Sequence, residues 1–343
     1  RDVLKKLSIL RKGVDPDGRL RTSYNVCGTV TGRWSSSENA FGSGDNMQNQ
    51  TEALRMMYMA DPGMKLAYLD LEQAESRAVA LLSGDEAYWI ACHIGDLHTA
   101  VAKMVWKNLP WTGDLKQDKE IAEKKFYREF SYRDMSKRGG HGSNYYGQAY
   151  TMARFLKIET ILMENFQQEY FTAFRGIKDW HRNVAQELQL KGIMTTPLGR
   201  RRFFFGRRWD DSTLREAIAN GPQSMVGDIL NLGLWRIWKA FGPGAKNTIH
   251  HIELLAQIHD AVLLQFPEEY EDQIIPALLE LMKVDVSFKG KTLSIPAEAK
   301  TGWNWGKWKL SNPNGIKPWS AKTPDQRKRI ITPKKSILDR VIC

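Results

Sequence analysis

Two segments of the 343-residue chain place a lone carboxylate in otherwise apolar surroundings. Asp70 ends the short run that starts Lys65-Leu66, and Asp260 follows Gln257-Ile258-His259 in the middle of the apolar stretch 254–266. Taking an ionised carboxylate out of water costs several kcal/mol unless it is paired or holds a cation. One such aspartate is ordinarily a turn or a cap. Two, with a basic helix-like stretch between them, point to a shared divalent-cation site. Two hard cations about 4 Å apart activate an attacking hydroxyl and neutralise the leaving oxygen of a phosphoryl displacement. Asp70 and Asp260 are therefore the candidate catalytic and metal-binding residues, and no His/Cys cluster offers a zinc site instead.

A second constellation is Arg133, Lys137, His141 and Tyr145, each four residues from the next, which puts them along one helix face. Two cations, an imidazole and a phenol match, in order, the phosphates, sugar and base of a nucleoside triphosphate. A solvated basic stripe is the competing reading. Gly139, Gly140 and Gly142 each weaken such a helix by about 1 kcal/mol relative to Ala, which suggests backbone that a ligand or template approaches closely.

Two other chemistries fit less well. Asp70-Leu71-Glu72 has the Asp-x-Glu that opens proofreading exonucleases, but neither Tyr-x-x-x-Asp nor a His followed five residues later by Asp occurs. His259-Asp260 could be the doublet of a metal-dependent phosphohydrolase; that doublet sits on a helix with further His ligands, whereas here it lies among β-favouring residues.

The elements that must position these groups can be read in outline. Lys65–Asp70 has a buried-strand pattern, and Gln73–Leu82 carries a helical apolar stripe. Ser35–Asn46 reads as a long loop, Arg215–Trp235 as one long helix, and 254–266 as a β-hairpin with His259-Asp260 at its turn. A sheet-based domain interrupted by a helical lobe explains the order. The expected divisions are 1–83, 84–214, 215–312 and a basic tail at 313–343. Trp303, Trp305 and Trp308 are expected to pack the sheet domain.

Composition sets the bounds. An apolar share of 42% supports a real core, and no run of 18 apolar residues exists for a spanning helix, so no membrane partner is expected. The chain begins Arg1-Asp2-Val3 without Met or a signal-like stretch, as a fragment or processed chain would. Three scattered cysteines fit a reducing, intracellular compartment. The net charge is +11, of which residues 307–343 hold +8 (ten Lys/Arg against Asp325 and Asp339), leaving +3 for the rest. That tail is either a solvated segment or a polyanion contact.

Taken together, the motifs resemble the family A DNA polymerases, the group of bacterial DNA polymerase I and its phage and mitochondrial relatives, from about Thr22 to Trp308. Thr31-Gly32-Arg33 with Asn46-Met47-Gln48-Asn49 is similar to the segment that grips the primer-template minor groove. Asp70-Leu-Glu-Gln-Ala-Glu75-Ser-Arg77 looks like motif A, Asp96-Leu97-His98-Thr99 like the fingers signature, and Arg133 through Tyr145-Tyr-Gly147 like motif B. Arg215 and Gln223 fall in the following helix, and Gln257-Ile-His259-Asp260 looks like motif C. Six collinear motifs are far more specific than any one.

The resemblance implies an α+β right-hand polymerase, with an antiparallel palm sheet and a helical fingers insertion, that adds dNTPs to a primer 3′-hydroxyl on a DNA template. It implies two Mg²⁺ ions, with Mn²⁺ as a substitute, held by Asp70, Asp260 and the Leu71 carbonyl. Gln73, Glu75, His98, Arg133, Lys137, His141 and Tyr145 would contact the nucleotide, Glu75 as the steric gate against a ribose 2′-hydroxyl. Arg33, Asn46, Gln48, Arg77, Arg215, Gln223 and His259 would track primer-template DNA. A thumb or exonuclease segment would lie upstream, on the same precursor or on another chain. The setting would be the cytoplasm of a bacterial or phage-infected cell, or an organelle. A catalytically weak primer-template-binding subunit and a single-subunit RNA polymerase are the alternatives. The departures are His141 where the family has Phe or Tyr, Gly147 one residue late, about five extra residues between Arg33 and Asn46, and Ala261 where motif C continues with Glu.

Overall fold

The computed structural model describes residues 4, 7, 11, 13–243, 245 and 252–321. A first strand pair, β1 (Ser23–Asn25) and β2 (Ser35–Ser37), is followed by a 3-10 turn at Met47–Asn49, helix α1 (Glu52–Arg55) and β3 (Met64–Leu71). Helices α2 (Ala74–Ser83), α3 (Glu86–His93), α4 (Leu97–Val105) and α5 (Leu115–Ala122) come next. The hairpin of β4 (Lys125–Tyr127) and β5 (Phe130–Ser131) leads into α6 (Tyr132–Asn144), α7 (Ala149–Leu156), α8 (Thr160–Ala173) and α9 (Arg175–Lys191). A further hairpin, β6 (Ile193–Thr195) and β7 (Arg201–Phe203), precedes the long α10 (Asp211–Phe241). Then come β8 (Glu253–Ile258), β9 (Ala261–Pro267), α11 (Glu271–Met282), β10 (Asp285–Phe288), β11 (Lys291–Ser294), β12 (Ala297–Gly302), β13 (Asn304–Lys307) and β14 (Gly315–Pro318).

These elements form two compact units. One takes the described residues of Arg1–Glu72, Gly227–Asp285 and Ser294–Cys343; the other takes Gln73–Val226 and Val286–Leu293. The chain passes between the units at 72/73, inside α10 at 226/227, and at 285/286 and 293/294. A helix of this length carries its hydrogen-bond ladder through both units, so composition gives no sign of the cut.

The first unit is built on a six-stranded sheet in the order β13-β14-β12-β3-β9-β8. Its pairs are antiparallel, as expected, except β13–β14, which is parallel. β3 lies between β12 and β9, and Leu66, Ala67 and Leu69 are almost fully buried, which explains its near-continuous apolar run. α11 buries Ile274, Ile275 and Leu278, and its first residue, Glu271, accepts from Lys65 Nζ at 2.6 Å and Thr301 Oγ1 at 2.6 Å. Satisfying that half-buried carboxylate twice ties the helix to β3 and β12.

Three sequence expectations need correcting here. Ser35–Ser37 is strand β2, paired with β1, so the loop after Arg33 begins later than expected. β14 lies inside the stretch assigned to the tail; the greater part of that stretch, 322–343, lies outside the described residues. Of the three tryptophans expected to pack, Trp305 does, 1% exposed, edge-on to Tyr58 with the Arg55 guanidinium 4.5 Å over its ring. Trp303 and Trp308 are 41% and 47% exposed. Trp303 lies at the bend between β12 and β13, where its Nε1–H donates to Glu268 Oε2 at 2.8 Å.

The second unit packs α2 to α9 around Tyr88, Tyr170, Phe174 and Ile177, all nearly inaccessible. Their hydroxyls are satisfied inside the core. Asn144 Nδ2 donates to the Tyr88 hydroxyl at 2.8 Å, the Tyr170 hydroxyl donates to Asn144 Oδ1 at 2.7 Å, and His181 Nε2–H donates to the Asn144 carbonyl at 2.8 Å. Such a closed polar network fixes the end of α6 against its neighbours.

Candidate active site

In the sheet unit, the register places both acids at one end of adjacent central strands. Asp70 is the penultimate residue of β3 and faces Ala261, the first residue of β9. Asp260 precedes Ala261 in the two-residue turn between Ile258 and Ala261, which are themselves paired. His259, the other turn residue, has φ +54°, which the tight connection requires. The Leu71 amide donates to the Asp260 carbonyl at 3.2 Å. Directly opposed Cα atoms in an antiparallel pair lie about 4.5–5.5 Å apart, so the sheet brings together two aspartates that are remote in sequence.

The electrostatics agree. Burial pushes the Asp70 carboxyl above its ordinary range; Lys300 opposes this, and the charges of Asp260 and Glu298 add to it. Glu298 on β12 is the cross-strand partner of Asp70 on its other side. Arg33 Nη2 lies 3.4 Å from Asp260 Oδ1, a long contact between half-buried groups.

The turn is braced from behind. Gln257, 5% exposed, donates through Nε2 to the His259 carbonyl at 2.5 Å. Its Oε1 accepts from Gln48 Nε2 at 2.8 Å, and Gln48 also donates to the Trp34 carbonyl at 3.0 Å. The Tyr24 hydroxyl accepts from the Gln257 amide at 2.9 Å and donates to its carbonyl at 2.8 Å. Asn46 caps the 3-10 turn that carries Gln48. Arg33, Asn46, Gln48 and His259 thus gather round the Asp260 turn. Tyr24 and Gln257 as braces were missed; the signal would have been a buried glutamine two residues before a strained turn, visible only once burial is known.

In the helical unit, α6 opens with a capping box: Ser131 accepts from the Asp134 amide at 3.0 Å and Asp134 Oδ2 accepts from Ser131. Arg133, in the first turn, forks onto Asp96, Nε to Oδ2 at 2.9 Å and Nη2 to Oδ1 at 2.6 Å. Asp96 also caps α4, accepting from the Thr99 amide at 2.9 Å. Burial would raise the Asp96 carboxyl, but bonds from Arg133 and Thr99 outweigh it and hold the group well below the usual carboxylate range. His98, on the first turn of α4, is pushed down to about 4, first by burial and then by the charges of Arg133, Lys137 and His141, with Asp96 opposing. The structure therefore brings His98, Arg133, Lys137 and His141 together. Lys137 and His141 are exposed.

Glu75, in the first turn of α2, accepts a short hydrogen bond from the Tyr145 hydroxyl, and the His141 ring lies edge-on to Tyr145 at 4.9 Å. Tyr145 caps α6, and Gln73 sits before α2 in the left-handed region, φ +50°. Beside the late Gly147, Tyr146 takes φ +59°, and the Gly147 amide donates to the Gly142 carbonyl at 2.8 Å.

The glycines of α6 do not open the backbone to a ligand. A Cβ on Gly139 would lie 2.6 Å from the Phe166 ring, one on Gly140 3.3 Å from Tyr170, and one on Gly142 2.4 Å from Met152. They admit side chains of α7 and α8, so their reason is close helix packing. Arg77, assigned to DNA, is only 8% exposed, and its charge acts on the buried Cys92 thiol. Arg215 and Gln223 are half-buried on the part of α10 that belongs to this unit.

The model of DNA polymerase family A matches residues 3–307. The chain belongs to DNA polymerase family A. This family A chain is 28% identical over 300 residues to DNA polymerase I of Chloroflexus aurantiacus, covering 84% of itself and 29% of that protein. It is 28% identical over 297 residues to the thermostable DNA polymerase I of Thermus filiformis, covering 83% and 32%. It thus spans about a third of the length of the curated relatives it matches. Among solved structures, the POL domain of Pol1 from M. smegmatis, in complex with DNA primer-template and dNTP, shares the fold with a TM-score of 0.73 at 24% identity, covering 89% of this chain and 51% of that one. No helix among the described residues is long and apolar enough to cross a membrane.

Among the described residues of this family A member, no group of three or more His, Cys, Asp or Glu side chains forms a metal cluster. The two carboxylates and the Leu71 carbonyl would offer a metal only hard oxygens, a chemistry that fits Mg²⁺ better than zinc. The raised Asp70 carboxyl, with a second aspartate beside it, is a pair whose mutual repulsion a divalent cation would relieve.

Proposed function

We propose that this chain is the nucleotidyl-transfer portion of a DNA-directed DNA polymerase, joining a dNTP to a primer 3′-hydroxyl opposite a DNA template. The observation that carries this reading is the meeting of Asp70 and Asp260 across β3 and β9 in a family A chain. The two carboxylates and the Leu71 carbonyl would hold two Mg²⁺ ions, which when bound lower the barrier to attack on the α-phosphate and to departure of pyrophosphate. With Ala261 in place of a third acid, water and phosphate oxygens would complete the coordination.

The chain's own residues do the rest by positioning and charge. His98, neutral at pH 7 because it is pushed down to about 4, donates a hydrogen bond to phosphate without adding charge. Lys137 supplies a point charge, and Arg133, steered by Asp96, a forked one. Glu75, held by Tyr145, occupies the space of a 2′-hydroxyl, which favours deoxynucleotides and speaks against an RNA polymerase. Arg33, Asn46, Gln48 and His259 contact primer and template around the Asp260 turn, and Arg215 and Gln223 of the helical unit also contact the DNA. The reading is tested by primer extension with purified chain and Mg²⁺. Wild type is expected to extend, Asp260→Asn is not, and equal extension by both would overturn it.

A further inference from the structure

One segment outside every motif named above is put on display by the fold. From Gly199 to Trp209 the sequence holds five arginines (200, 201, 202, 207, 208), four aromatic residues (203, 204, 205, 209) and no acid. β6 and β7 pair with Ile193 opposite Phe203 and Thr195 opposite Arg201. The base of the hairpin is closed by the Phe204 amide on the Gly192 carbonyl at 2.9 Å. Burial alternates as it does along extended chain. Phe204 is buried, while Phe203 and Phe205 are 53% and 94% exposed. Their rings are nearly parallel, 10° between planes and 6.1 Å between centres. Trp209, just beyond, is 74% exposed. Arg202 has a structural task, its guanidinium 4.5 Å over the Phe204 ring and bonded to Glu216. Arg201 and Arg207 are exposed.

Parallel exposed rings flanked by arginines fit a ligand with flat apolar faces and a regularly spaced anionic backbone. Single-stranded DNA has both, whereas a duplex hides its base faces in its own stack. An apolar protein surface fits worse, because it would desolvate the arginines without neutralising them. We propose that the β6–β7 hairpin and the residues up to Trp209 form a binding site for single-stranded DNA, with the Phe203–Phe205 pair as a base-stacking platform and Arg201 and Arg207 holding flanking phosphates. A base stacks on an outer ring face; admitting one between the rings would need about 7 Å, two contacts of about 3.5 Å. The site extends the polymerase reading and rests on it only for the identity of the strand, since stacking needs neither carboxylate.

The test is fluorescence anisotropy of a labelled dT oligonucleotide with the whole chain, titrated across NaCl concentrations, beside a blunt duplex of equal length. Phe203→Ala with Phe205→Ala is expected to weaken dT binding about tenfold and leave duplex binding within twofold. Arg201→Gln with Arg207→Gln is expected to shallow the salt slope for dT by about 1.4, at 0.7 per phosphate contact on a single strand. All four side chains are exposed, and unchanged thermal melting confirms that the variants fold. Unaltered dT affinity, equal loss on dT and duplex, or a wild-type dimer that the phenylalanine variant dissolves would each overturn the proposal. Primer extension by wild type is scored separately, so failure of this site and failure of the polymerase reading are told apart.

Discussion

The two constellations are held in place by different means. The aspartate pair of the sheet unit is positioned by backbone: strand register sets Asp70 opposite Ala261, and a two-residue turn leaves Asp260 no freedom to drift. The basic row of the helical unit is positioned by side chains: the Asp96 fork on Arg133, the Tyr145–Glu75 contact, and the Tyr88–Asn144–Tyr170 network at the end of α6. A backbone-built site leans on few side chains, here the Gln257 brace above all, whereas a side-chain-built one depends on packing along the whole helix.

Four measurements put that contrast to the test. The largest effect is expected for Asp260→Asn or Asp70→Asn, which should cut primer-extension kcat by about a thousandfold, the several kcal/mol that metal positioning supplies. Thermal stability should hold, and rise for Asp70→Asn. The folded state raises that carboxyl, so it binds the proton more tightly than the unfolded chain, and the charge it carries at neutral pH costs stability. A large drop in melting temperature would mean that these acids are structural.

Next, Gly139→Ala should destabilise the chain by about 2 kcal/mol by driving a methyl into Phe166. A neutral result in denaturant unfolding would show that α6 and α8 are not close-packed. Third, Gln257→Ala removes the brace of the Asp260 turn and should lower kcat about tenfold, the loss of one buried hydrogen-bonding group, with KM for dNTP unchanged. If kcat does not move, strand register alone holds Asp260. The smallest effect concerns pH. His98 is pushed down to about 4 in the fold against about 6.5 unfolded, so the unfolded chain takes up the proton first. Stability contributed by neutral His98 should be lost as pH falls from about 6.5 toward 4. His98→Gln should flatten that part of a urea-midpoint profile.

Much of the candidate site was legible in the sequence because its chemistry needs rare placements. Asp70 and Asp260 stand out as acids at strand ends, and four-residue spacing put Arg133, Lys137 and His141 on one helix. Roles that depend on burial were not legible. Arg77 looks like any helix arginine until its neighbours close over it. The α6 glycines suggest an exposed backbone until Phe166 is seen against them. Phe203, Phe204 and Phe205 form one apolar run in the sequence, and only the hairpin separates the middle ring from its neighbours.

The family and the order of sheet and helical elements, then, were legible in the sequence, and so were the two acids proposed for the site, since periodicity and local charge are properties of short stretches. Only the folded chain shows that Gln257 and Tyr24 brace the turn, that β14 joins the sheet antiparallel to β12 and parallel to β13, and that a boundary between units runs through α10. Those outcomes depend on pairings between residues far apart in the chain, and no local pattern encodes which of the alternative partners packs best.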